Sequence, residues 1–336
     1  MPAANMALIV AYLIVATGAK NLSIPISLAA PAWALSGLAL ATVMVFGFRI
    51  LPGIFLGTAA GYLWQCHPMD GAILPATGVG LGAASAAAVS AMLLRRRSGP
   101  RRFESIRFQV EFIFFGAIIG AAISATIGSV SLIGGRLASW NDFSLVWLVW
   151  WLGAFCGILT TTPVFLTDSV RAAAERTPWR RIEKLFAFLM LIVINMVLFR
   201  HSAGFFGRLL PLHFEFIVIP LLFYIALRFD LFSASLAVTI TAAVSVYFTM
   251  QGQGPLLMPT VLETMILTAI YLTIAAVPTL GAALVFKERR SIEKTLRLTN
   301  ENLSMIQKGG RFGSWDWNLE SDRKSTRLNS SHGKLS

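Results

Sequence analysis

Ionisable side chains at the edges of long apolar runs are the residues in this sequence best placed to do chemistry. Such groups are costly to hold in hydrocarbon and mark functional positions by default. Glu215 and Glu263 stand near the outer ends of two apolar segments, with His213 beside the first. Arg200, His201 and Arg208 occupy the loop before it. Two carboxylates and an imidazole there would form a small polar pocket open to the outside, suited to a small-molecule signal. Glu215, Glu263 and His213 are therefore the candidate signal-site residues. The plainer reading, charges resting at the interface with their stems along apolar surface, is the favoured one. Glu111 follows Arg107 by four residues at the opposite boundary, where an interfacial ion pair is expected. No Ser/His/Asp set and no histidine cluster accompanies these residues. Cys66 and Cys156 have neither metal nor disulfide spacing. The sequence predicts no catalytic residue, no metal and no cofactor.

The elements that must carry these residues follow from composition. Of 336 residues, 56% are hydrophobic and only 13% charged, whereas a soluble domain carries about 25% charged residues. Mean hydropathy is +0.70. Ten apolar segments stand near 4–19, 27–47, 50–64, 71–94, 108–134, 143–167, 185–200, 212–228, 231–249 and 259–286. A helical span needs roughly 20 apolar residues. The first, third and seventh segments are short, so eight is the lower count. Helices are required because strand edges would leave backbone groups unpaired in lipid. The expected fold is an all-α integral membrane protein, a polytopic bundle of 8–10 transmembrane helices with a short cytoplasmic coiled-coil stalk.

The net charge of +12 is spread over the short loops between spans, where it sets orientation rather than nucleic-acid binding. One set of loops holds Arg49, Arg95, Arg96, Arg97, Arg101, Arg102, Arg107, Arg171, Arg176, Arg180, Arg181, Lys184 and Arg228. The other holds only Lys20, Arg136, Arg200 and Arg208. With ten spans the two sets alternate, which places both termini in the cytoplasm. The first segment lacks a basic stretch before its apolar core and reads as a retained span rather than a signal peptide. Trp140 and Trp147 suit an aromatic belt, whereas Trp150 and Trp151 lie deeper. Glycines recur at four-residue spacing: Gly53, Gly57 and Gly61; Gly78 and Gly82; Gly116 and Gly120; Gly153 and Gly157. Such stripes let helix backbones approach closely, so they predict a compact bundle.

Residues 31–57 read PAWALSGLALATVMVFGFRILPGIFLG, and residues 147–165 read WLVWWLGAFCGILTTTPVF. Together they resemble the membrane-associated sensor domain of type one, the MASE1 family of bacterial signalling inputs. Trp33, Ser36, Gly37, Gly47, Arg49, Pro52 and Gly53 match the first family pattern. Trp150, Trp151, Leu152, Gly153, Gly157, Leu159, Thr162 and Pro163 match the second. The resemblance covers roughly residues 4–290. Two departures stand out: Ala34 and Leu35 replace the prolines that usually follow the first Trp, and Ala154 replaces an acid that often follows Leu-Gly. Physically, Arg49 to Gly53 makes a cytoplasmic turn, with Pro52 tolerated in the first turn of the next helix. Pro163 would loosen its helix by removing a backbone bond.

Beyond the last span, Ile292, Leu296, Thr299, Leu303 and Ile306 follow a 4-3-4-3 spacing, the seam of a coiled coil. Glu293 and Arg297 supply a flanking i,i+4 pair. Residues 287–308 are thus expected to form a cytoplasmic linker that pairs two copies, although two heptads need help from a neighbouring domain. Trp315, Trp317 and Leu319 then alternate with Asp316, Asn318 and Glu320, the period of a half-buried strand. Residues 309–321 resemble the start of a PAS domain, cut too short to fold. The polar stretch 322–336 resembles a translated sequencing adapter and is set outside function.

The expected protein is the sensory input module of a bacterial inner-membrane signalling protein. The resemblance implies a histidine kinase or diguanylate cyclase output, and the chain itself carries no catalytic domain. Its partners are the lipid bilayer, a second copy of itself and a small-molecule or membrane-state signal. The rival reading is a secondary transporter of a small solute, with Glu215 and Glu263 as its carboxylates. Transporters place charges and broken helices near the midplane, often in paired repeats. Here the charges hug the ends.

Overall fold

The computed structural model describes residues 2–20, 33–66, 72–98, 103, 105–167, 178–200, 214–310, 314–318 and 323–327. The chain divides into two units, Met1–Val285 and Phe286–Ser336.

Among the described residues, each apolar segment read from the sequence forms a helix. In chain order these are α1 (Pro2–Lys20), α2 (Trp33–Phe46), α3 (Leu51–Cys66) and α4 (Ile73–Ser98). There follow α5 (Ile106–Gly134), α6 (Phe143–Leu166) and α7 (Pro178–Arg200). The last three are α8 (Val218–Arg228), α9 (Leu231–Met250) and α10 (Val261–Gly310). Among the described residues, six helices are long and apolar enough to cross a membrane: α4, α5, α6, α7, α9 and α10. Three shorter apolar helices, within α1, α2 and α8, stand beside them; residues 21–32 and 201–213, ahead of α2 and α8, lie outside the described residues.

The glycine stripes act as close-packing surfaces. On α3, Gly53, Gly57 and Gly61 face Asn5, Tyr12 and Ala16 of α1. On α4, Gly78 meets Ser131, and a Cβ at Gly82 would lie 3.2 Å from the Ser124 carbonyl oxygen of α5. Lipid tails are as apolar as leucine, so such helices are held by close van der Waals contact rather than by escape from solvent. One core forms where Leu40, Ile54, Leu94, Phe112, Leu159 and Leu284 come together, each almost wholly buried. A second gathers Phe199, Leu256, Met265, Tyr271 and Leu272.

α5 is wound as a π-helix over Phe112–Ile119. Its wider turn is bound on one side by Trp151, whose indole Nε1 donates to the Ile118 carbonyl at 3.2 Å. Just before it, buried Gln109 donates from Nε2 to the carbonyl of Val277 at 2.8 Å, next to Pro278 inside α10. Proline removes a backbone donor and disturbs the neighbouring turn of its helix. A side-chain donor aimed at the adjoining carbonyl holds that turn in place.

In the second unit, Ile292, Leu296 and Leu303 of the expected seam are 60%, 58% and 52% exposed, while the Ile306 side chain lies outside the described residues. The flanking ion pairs are shifted from the expected one. Glu293 pairs back with Arg289 at 3.2 Å, and Arg297 pairs forward with Glu301 at 2.9 Å. Both alternatives are i,i+4 spacings, so the helix surface accommodates either set. The alternating tryptophan segment forms a strand, β1 (Ser314–Asn318), antiparallel to β2 (Arg323–Arg327). β2 falls in the stretch set outside function, because strand pairing uses backbone groups that any sequence supplies. Leu319 lies outside the described residues.

Candidate functional site

The two motifs, more than a hundred residues apart, meet at the crossing of α2 and α6. Gly37 packs against the backbone of Gly157, and a Cβ there would collide with the Gly157 carbonyl oxygen and lie 2.8 Å from Thr161 Cβ. Thr162 donates from Oγ1 to the Gly37 carbonyl at 3.0 Å. Gly153, Gly157, Thr162 and Pro163 are all buried. From the other side, Thr239 of α9 donates to the Thr160 carbonyl at 2.7 Å. Thr160 in turn back-bonds to Cys156 O at 2.8 Å. α6 is thus the helix on which α2, α5 and α9 converge. Trp150 fills the groove left by Gly128 of α5. Trp147 and Trp151 stack with centroids 6.2 Å apart, and Trp147 donates to Thr126 Oγ1 at 2.9 Å. Trp140 is 69% exposed, as a belt residue should be. Trp33 opens α2, and its side chain lies outside the described residues.

The second part of the site is the turn that ends α2. Gly47 has φ +79°, a left-handed conformation that glycine adopts without a Cβ clash. Its N–H donates to the Val43 carbonyl at 2.9 Å, closing the helix. Arg95, from the end of α4, donates through Nη2 to the carbonyls of Val43 and Met44 at 2.8 and 3.0 Å. Its guanidinium also lies 5.5 Å from the centre of the Phe48 ring. These carbonyls lie in the last turn of α2, where a cation meets the partial negative charge of the helix C-terminus. Asn5 of α1 clamps the far side: its Nδ2 donates to the Arg49 carbonyl at 3.3 Å, and its Oδ1 accepts from Gly53 N–H at 2.9 Å. Arg49 itself is exposed, as expected of a headgroup anchor. Pro52 is the second residue of α3, where its missing N–H costs nothing.

Neither Asn5 nor the capping role of Arg95 was read from the sequence. Asn5 carries a usable signal, being the one amide in an otherwise apolar first segment. Arg95 is one of three consecutive arginines, and nothing local separates it from Arg96 and Arg97.

Of the candidate signal-site residues, the structure gives Glu263 a local role. Glu263 and Thr260 form a capping box at the start of α10. Thr260 N–H donates to Glu263 Oε2, and Glu263 N–H donates to Thr260 Oγ1, each at 3.2 Å. Glu215 lies in a short 3₁₀ turn, Phe214–Ile217, ahead of α8. The Glu215 side chain and all of His213, His201 and Arg208 lie outside the described residues. Glu263→Ala is expected to lower stability by about 1 kcal/mol, the usual worth of a cap, read as a small fall in melting temperature of the purified chain. A larger loss would show that this carboxylate does more than cap.

Among the described residues, three further ion pairs stand at helix ends. Glu111 accepts from Arg107 at 3.2 Å, the expected interfacial pair. Glu183 of α7 receives both Nε and Nη2 of Arg228, at 2.6 and 2.9 Å, and the Tyr224 hydroxyl at 2.7 Å. Lys184 meets Asp230 at 3.1 Å, and Asp230 caps α9 by accepting from Ser233 N–H. These contacts bind α7, α8 and α9, and join residues about 45 apart that no local pattern links. Cys156 is buried and free, and the Cys66 side chain lies outside the described residues. Among the described residues no group of three or more His, Cys, Asp or Glu is placed to hold a metal.

Long apolar helices, small-residue crossings and charges confined to helix ends define a polytopic membrane protein. The family model MASE1 matches residues 4–290, and the chain belongs to this family of membrane-associated sensor domains. Such domains are sensory and non-catalytic, and occur in signalling proteins such as histidine kinases and cyclases. The searches of curated proteins and of solved structures return no match.

Proposed function

We propose that this chain is the input module of a bacterial inner-membrane signalling protein, with both termini in the cytoplasm. It acts as a homodimer paired through residues 287–308 and passes a signal to a histidine kinase or diguanylate cyclase domain. A small molecule or a change in membrane state shifts the bundle between two packings. The observation that carries the reading is the apolar seam Ile292, Leu296 and Leu303, exposed on the same helix, α10, that holds the last buried residues of the sensor domain. An apolar stripe at heptad spacing is a surface built for another helix. A second copy satisfies it symmetrically, with residues of one chain facing the same residues of the other.

The test is disulfide crosslinking of the full chain in lipid nanodiscs, in a background with Cys66 and Cys156 replaced by alanine. Single cysteines at positions 292, 296, 299 and 303 are expected to form covalent dimers on mild oxidation, and cysteines at 294, 298 and 301 to do so poorly. Uniform or absent crosslinking along the helix would rule out the paired stalk. Solute uptake by vesicles loaded with the purified chain would instead favour a transporter.

A further inference from the structure

A cavity of about 20 Å³ lies where α2, α4, α5 and α6 meet. Its polar lining is three hydroxyls, Ser36, Ser90 and Ser124, and the rest of the wall is alanine, Gly120, Leu40 and Ile158. Ser90 is 1% exposed, and its Oγ has no hydrogen-bond partner in the protein. Two other hydroxyls on these helices are bonded locally. Ser85 donates to the Leu81 carbonyl at 2.6 Å and Thr160 to that of Cys156 at 2.8 Å, each one turn back. Ser90 forgoes that bond and sits instead against Gly120, where a Cβ would collide with its Oγ. A buried hydroxyl without a partner is costly.

We propose that this cavity binds one water molecule, which accepts from or donates to Ser90 and joins it to Ser36 and Ser124. Size and chemistry both select this ligand. A site of this volume admits a water, needing about 10–15 Å³ and two to four polar partners, and is too small for an organic solute. No charged side chain lines it, so an ion would lie there uncompensated. The α6 wall contributes only the methyl of Ala154 and the side chain of Ile158, which turns the water toward α2, α4 and α5. The water is thus a polar joint among three helices, in a pocket whose other walls are apolar.

X-ray radiolytic labelling of the unmutated chain in nanodiscs tests this directly, because hydroxyl radicals form in place from bound water and mark the nearest side chains. Leu40 and Ile158, only 1% and 4% exposed, are expected to be labelled, while Leu191 and Leu222, at 0%, stay protected. Ser90→Ala gives a second reading. With a bridging water, removing the hydroxyl lowers the melting temperature by about 2–4 °C, the shift typical of losing one good hydrogen bond in a large domain. In a dry cavity the same change removes an unmet polar group and raises it. Protection of both Leu40 and Ile158, labelling of all four residues alike, or a rise in melting temperature would each overturn the proposal.

Discussion

Gly37→Ala is expected to cost about 3 kcal/mol of stability, at the upper end for overpacking a tight contact. The added methyl would strike the Gly157 carbonyl oxygen, which is backbone and cannot rotate away. The helices would have to separate, and the bond from Thr162 to the Gly37 carbonyl, 3.0 Å long, would stretch with them. Gly18→Ala in α1 is the matched control, since a Cβ there meets nothing within 4 Å. That change should be neutral or add up to about 1 kcal/mol through helix propensity. Thermal unfolding of the two variants in one detergent reads the contrast. Equal melting temperatures would mean that α2 and α6 do not touch at Gly37.

Arg95→Met should be nearly as damaging, with a loss of about 3 kcal/mol, because two bonds from a charged donor end on partly buried helix carbonyls. Methionine keeps much of the stem's packing and removes the guanidinium, and with it the bonds to the Val43 and Met44 carbonyls. Arg95→Lys should recover only part of the loss, since a single ammonium lacks the planar fork. Arg96→Met, at an exposed neighbour, should leave the melting temperature within about 1 °C, as surface substitutions usually do. If Arg95→Met and Arg96→Met melt alike, Arg95 serves only as a headgroup charge.

Much of this architecture was legible because bilayer physics leaves few choices. Apolar runs must be helices, and glycines at four-residue spacing on α3 and α4 must mark crossings, which is where Asn5, Tyr12 and Ser131 meet them. Helix ends were less legible: hydropathy finds a segment, but the turn at Gly47 depends on where the backbone is capped. Glu263 carries a second signal besides its charge: Thr260-x-x-Glu263 ahead of an apolar run is the spacing of a capping box. The pairs Glu183–Arg228 and Lys184–Asp230 were beyond reach, since positive charges at helix ends look alike whether lipid or a distant carboxylate faces them. The same holds for Gly37 and Thr162: each motif was visible, but not that one is the other's partner.

That last contact, spanning 125 residues, orders the birth of the protein. α1 can pair with α3, α3 with α4 and α4 with α5 as each emerges, for these partners are close in the chain. α2 cannot be completed that way. Its Gly37 face waits until Thr162 has left the ribosome and α6 has entered the bilayer. In the interval it must be sheltered by lipid, by α4 or by the insertion machinery. Arrival of α6 is therefore the step that turns a string of inserted helices into a closed bundle, and a defect at Gly37 would surface first as slow or failed assembly during synthesis.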